Sequence, residues 1–209
     1  MSRQVSTRIL TLAGMLALLA ATVTAADPQA DKKKADLDPG IAAYIKAATP
    51  SPQHKLLEPL VGSWAIKVKS WMDPTQPPTE STGHGERKWI LGGRFLTDEF
   101  HGQFFDQPFT GLGWTGYDNI QKKFVNSWID TMSTGIIASQ GTCDSTGKVF
   151  TYTSEEIDPS SGQKVKGREI VRILDDNQHT ATFFKTGPDG KEIKVMEITF
   201  TRKGATPGR

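Results

Sequence analysis

Cysteine is nearly absent from this chain. Cys143 stands alone among 209 residues, which excludes an internal disulfide and any thiolate cage for a metal. An excess of charge is missing too: 25 Lys and Arg stand against 23 Asp and Glu. The only dense basic run, Lys32-Lys33-Lys34, lies in a polar arm where solvation accounts for it. Nucleic acid and anionic membranes both demand clustered basic residues, so neither is expected as a partner. Histidine is scarce and scattered. His54, His84, His101 and His179 have no mutual spacing of two or four residues, so no local metal pattern arises and no bound metal is expected. The nucleophile elbow Gly-x-Ser-x-Gly does not occur either.

Long apolar runs are confined to one, residues 9–21. Arg3 and Arg8 precede it and Val23-Thr24-Ala25 offers small residues after it. A charged n-region, a run too short to span a bilayer and a small-residue site are the marks of a secretory signal peptide, here 1–25 with cleavage after Ala25. The expected location is therefore the periplasm or the exterior, with no membrane attachment after cleavage. Without the two arginines of the leader, the remaining chain has as many basic as acidic residues.

Residues 26–51 read as a polar linker. It holds a short helix in which Asp38 caps, Pro39 takes the first turn and Ile41, Tyr44 and Ile45 share a face. Ser51-Pro52 starts another, with Leu56, Leu57 and Leu60 on one side and Gly62 as its stop. From there the apolar period drops to two. Alternating runs follow at 64–69, 87–91, 95–100, 109–117, 124–132, 149–157, 168–174, 180–185 and 193–202. Turn chemistry rich in Gly, Asn, Asp and Pro separates most of them. The expectation is a mainly β domain over 52–203, an antiparallel up-and-down barrel of about 8 to 10 strands that removes its own edges by closing, preceded by one or two short helices and followed by a tail at 204–209. A two-sheet sandwich is the alternative.

The stretch Leu60-Val61-Gly62-Ser63-Trp64 resembles the Gly-x-Trp opening of lipocalin-like calycin barrels. Together with Trp89-Ile90-Leu91-Gly92-Gly93-Arg94-Phe95-Leu96, Gly116-Tyr117-Asp118-Asn119, Trp128-Ile129-Asp130-Thr131-Met132 and Thr199-Phe200-Thr201-Arg202-Lys203, it is similar to a bacterial family of unknown function, numbered 1579. The resemblance implies a lipocalin-like barrel in which Trp64 packs beneath Arg202 next to Gly62, a structural closure. It implies no activity. Related barrels that bind haem do so through one interior histidine, which keeps a small place for His101 as a haem ligand; otherwise no cofactor is expected.

Gly111-Leu112-Gly113-Trp114-Thr115-Gly116 spells the dinucleotide fingerprint, but it leads into a turn and another alternating run instead of a helix. Its glycines are expected to let the strand bend or to let a large neighbour cross it. On the next run Phe124, Asn126, Trp128, Asp130 and Met132 share a face, taken as interior because two aromatics and a Met would make an unusual wet patch. Asp130 would then need a donor such as Arg94 or Arg172. Two registers are open. With Tyr117 opposite Phe124, Trp114 points away from Trp128; a slip of one residue brings both to one side. The candidate ligand wall comprises Trp114, Trp128, Asp130 and Met132 with Arg94 and Glu99. Glu99 shares a strand face with His101, as an exposed pair or as an acid–base couple.

Three functions fit these residues. A barrel walled by Trp, Phe and Met would bind a small apolar or amphipathic molecule. An enzyme of hydrolase or isomerase type would use an interior Asp130 or Glu99 with an arginine. A structural or assembly protein would have a packed barrel, and a homodimer is the protein partnership left open.

Overall fold

The structure, a computed structural model, describes residues 38–204 except 105, 159, 160 and 188. The expected leader, the arm up to residue 37 and the end of the tail lie outside the described residues. The chain divides into compact units at 1–42 and 43–209, and the first is described only from residue 38. Helix α1 (Pro39–Ala48) runs across that division. The Asp38 carboxylate accepts the Gly40 amide at 2.8 Å, the cap that the sequence promises. The second helical segment is a single 3-10 stretch, His54–Leu60, with Pro59 inside it. Leu57 and Leu60 are buried, so the leucine face turns to the core as expected.

Ten antiparallel strands follow and close on themselves: β1 (Gly62–Ser70), β2 (Thr79–Ile90), β3 (Phe95–Phe104), β4 (Gln107–Asp118), β5 (Lys123–Asp130), β6 (Ile137–Cys143), β7 (Val149–Ile157), β8 (Lys164–Asp175), β9 (Gln178–Thr186) and β10 (Glu192–Arg202). Each pairs with its chain neighbours, and β1 pairs with β10, so no strand edge is left open. The barrel is the expected one and the sandwich alternative falls. Two elements go beyond the alternating runs: β6, and the first half of β2. Both carry glycine or small residues where an apolar side chain would have marked the inner face. On β2, Gly83 and Gly85 are overlaid by Phe100 and Ile66, and on β6 a methyl at Gly141 would collide with the Thr151 carbonyl.

Because the meander alternates direction, the turns at 91–94, 119–122, 144–148 and 176–177 gather at one end with the start of β1. The 3-10 segment plugs that end. Leu57, Trp64, Phe150 and His179 pack there with almost no solvent contact. Trp64 is paired in register with Arg202, whose guanidinium lies 4.3 Å over the indole. Arg202 also donates to the carbonyls of Pro59, Val61 and Asp176, binding the helical segment to the last strand and the last turn. The Trp64 indole N–H donates to Leu60 O at 3.0 Å. Gly62 sits at φ +130°, and a methyl there would run into the Arg202 guanidinium. The closure implied by the resemblance is present, and glycine is what lets the arginine in.

Candidate functional site

Above this plug the barrel is hollow, with a cavity of about 460 Å³. That lies in the range of sites for small molecules and excludes a solidly packed core. Its floor and walls are mainly apolar, with Leu96, Phe100, Phe109, Phe183, Met196 and Ile198 prominent. It reaches solvent at the end opposite the plug, where Met132 is 53% exposed.

A few polar groups interrupt the apolar wall. Arg87 of β2 donates to the Asp98 carboxylate of β3 at 2.6 Å and reaches Nε2 of His179 at 2.7 Å, while lying 4.5 Å over the Phe200 ring. Since a guanidinium can only donate, Nε2 of His179 must accept, and the proton sits on Nδ1. Nδ1 has no partner. Burial and then the charges of Arg87 and Arg202 hold His179 far below its ordinary pKa, so it stays neutral. Two inward positions further from the plug than His179, Glu169 of β8 lies opposite Tyr152 of β7 and Phe183 of β9. Glu169 has no hydrogen-bond partner among the described residues, and what surface it keeps faces the cavity. Burial pushes its carboxyl up to about 7 against the pull of Arg87, with Asp98 adding a smaller upward push. Burial and the Glu169 charge also keep the Tyr152 phenol protonated.

On β5, Asn126 donates to Thr115 Oγ1 at 2.9 Å. Asp130 accepts the Trp128 indole N–H at 2.9 Å and the Met132 amide at 2.8 Å. Toward the mouth, Lys185 pairs with Glu156 at 3.3 Å, and Arg168 holds Glu192 through two bonds while lying over the Phe184 ring.

The expected wall is half there. Trp128, Asp130 and Met132 line the cavity. Trp114 does not: Tyr117 is paired with Phe124 and Gly113 with Trp128, the first of the two registers, so Trp114 points outward and is 38% exposed. Gly111 and Gly113 supply what an aromatic partner would have blocked, because a methyl at Gly111 would fall inside the Trp128 indole. The glycine motif is thus a shelf on which Trp128 lies. Arg94 is held in the β2–β3 turn by its bond to Leu91 O and does not reach the cavity. Arg172 points outward on β8, and the donors to Asp130 are Trp128 on the same strand and Met132 just past its end. Glu99 lies on the outer face, 2.8 Å from Nε2 of His101, and both side chains are over 40% exposed. His101 therefore faces away from the interior, because inward positions on β3 are the even ones that include Leu96, Asp98 and Phe100. Sequence reasoning missed Arg87, Asp98 and Glu169. The alternation of Glu169 with Val171 and Ile173 carried a usable signal; Arg87 stands between Gly85 and Trp89 on the inner face, where one glycine and its own charge hide its direction.

Residues 49–202 match a family described as Protein of unknown function (DUF1579). No curated protein matches the chain. Among solved structures, Rv2717c from M. tuberculosis is similar at a TM-score of 0.53 and 16% identity, over 74% of this chain and 99% of that one. EF1p2_mFAP2b bound to DFHBI aligns at a TM-score of 0.40 and 12% identity, over 72% of this chain and 99% of that one. A redesigned β-barrel, b11L5F_LGL, aligns at 0.36 and 15%, over 72% and 95%. At such identities the first of these speaks for the fold alone.

Proposed function

The chain belongs to the family of unknown function DUF1579, and on that premise we propose that it is a binding barrel for small apolar or amphipathic molecules. The observation that carries this is the cavity of about 460 Å³, walled by aromatic and aliphatic side chains, plugged at one end and reached from the other. The apolar wall supplies affinity and the few polar groups supply orientation. Native mass spectrometry of the protein purified from its own host is the test: a bound small molecule, lost on denaturation, is expected. Apo protein that also fails to take up a neutral apolar dye such as Nile red would overturn the reading. The same proposal includes export, with a mature protein beginning at Ala26, which N-terminal sequencing of the native protein checks.

A second reading, an interior acid working with an arginine in catalysis, is favoured by one observation. Glu169 lies in the field of Arg87 with its carboxyl raised to about 7, where a general acid or base is most useful. It replaces Asp130 and Glu99 as the acid of that reading. A Glu169 carboxyl that titrates near 4.5 in the ligand-free protein would remove it.

A further inference from the structure

The charges inside the cavity are unequally matched. Its three cations are all taken: Arg87 by Asp98, Lys185 by Glu156, and Arg168 by Glu192. The acids are in surplus. Asp130 is answered only by neutral N–H donors, and Glu169 has no hydrogen bond or ion pair among the described residues, only the field of Arg87, which Asp98 already pairs. A carboxylate or phosphate entering this space would find no free cation and would meet unpaired acids. A cation would find a counter-ion waiting in an apolar wall.

From this, and resting on the binding-barrel reading, we propose that the cavity selects amphipathic molecules with a cationic head, an amine or amidinium on an apolar body, and that Glu169 is the head's counter-ion. Glu169 is the third inward residue of β8 from the plug, after Ile173 and Val171, so the head lies deep and the apolar body extends along Phe109, Phe183 and Met196 toward the mouth. Asp130, nearer the mouth, faces the incoming head first.

The head must also contend with a proton. Burial pushes the Glu169 carboxyl up to about 7, against the pull of Arg87 from β2 and with a smaller push from Asp98 of β3; the Tyr152 phenol lies opposite on β7 and apolar Phe183 opposite on β9. The remaining charged lining groups, Asp130, Glu156, Lys185 and Arg168, stand toward the mouth. Below that pH, binding of the cation breaks the Glu169 O–H bond and sends the proton to water. Affinity for the amine should then weaken by up to about tenfold for each pH unit below 7.

The experiment is displacement of Nile red from the full chain by decylamine, decanol and decanoate between pH 5 and 8. At pH 8 decylamine is expected to bind at least tenfold more tightly than the other two. That advantage should fade toward pH 5, and Glu169→Gln should abolish it, bringing decylamine no tighter than decanol on the same variant at every pH. A carboxyl NMR titration of the wild type gives an independent readout: decylamine, unlike decanol, should move the Glu169 titration to lower pH. Decanoate or decanol binding as tightly as decylamine, or an amine advantage that survives Glu169→Gln, would overturn the proposal and leave the binding barrel standing. If neither Nile red nor any of the three ligands binds, the binding-barrel reading fails with it.

Discussion

A methyl group placed on Gly111 has nowhere to go but into the Trp128 indole, and at Gly113 the same ring is 3.0 Å away. Gly111→Ala is therefore expected to lift Trp128 off β4 and to cost about 1 to 3 kcal/mol in chemical denaturation, with a change in tryptophan emission. Gly135→Ala, where a methyl meets nothing within 4 Å, should change stability by less than about 0.5 kcal/mol. Two buried titratable groups give opposite pH signatures. The folded state raises the Glu169 pKa, so its contribution is complete below 4.5 and is lost as pH rises through about 7. Glu169→Gln should gain on the wild type across that window, by at most about 3 kcal/mol, as read from unfolding free energies at each pH. The folded state lowers the His179 pKa, so its contribution is complete above 6.5 and is lost as pH falls. Between 4.5 and 6.5 the two slopes oppose each other, and Glu169→Gln should expose the acid sensitivity that His179 confers.

At the scale of elements, the seam between β1 and β10 is held where Trp64, Arg202 and the 3-10 segment meet. Trp64→Ala removes an almost fully buried indole and should lower stability by about 3 to 5 kcal/mol, seen as a fall in melting temperature. A double-mutant cycle with Arg202→Met should return a coupling of about 0.5 to 2 kcal/mol for the stacked pair. An unchanged melting point for Trp64→Ala would contradict the plug. These are also the elements most legible in the sequence, because alternation of large apolar residues marks a strand wherever one face is buried. Strand β6 escapes that reading because after Ile137 its inner positions are Ser139, Gly141 and Cys143, too small or polar to announce a core face. The candidate wall was half legible for a related reason. Side-chain period placed Trp128, Asp130 and Met132 on one face of β5, but the register against β4 depends on pairing across a turn, which one strand's pattern does not contain. Arg94 is held in the β2–β3 turn and Glu99 on the outer face of β3, so neither reaches the cavity, and neither position is set by a pattern of large apolar residues.

For the molecule as a whole, hollowness is a property that can be removed without removing the fold. Ser139→Leu adds apolar volume at a position that lines the cavity, so Nile red affinity should fall by about tenfold or more while the melting temperature stays level or rises. Loss of dye binding together with loss of the fold would show that Ser139 supports the wall as well as bordering the space. The plug has a kinetic consequence. With Leu57, Trp64, Phe150 and His179 sealing one end among the described residues, occupants on the binding-barrel proposal would share the opposite opening, and a newcomer could not push a resident out from behind. On that proposal exchange is single-file, so the off-rate in a chase experiment should be independent of competitor concentration, and a molecule that enters head-first should leave tail-first.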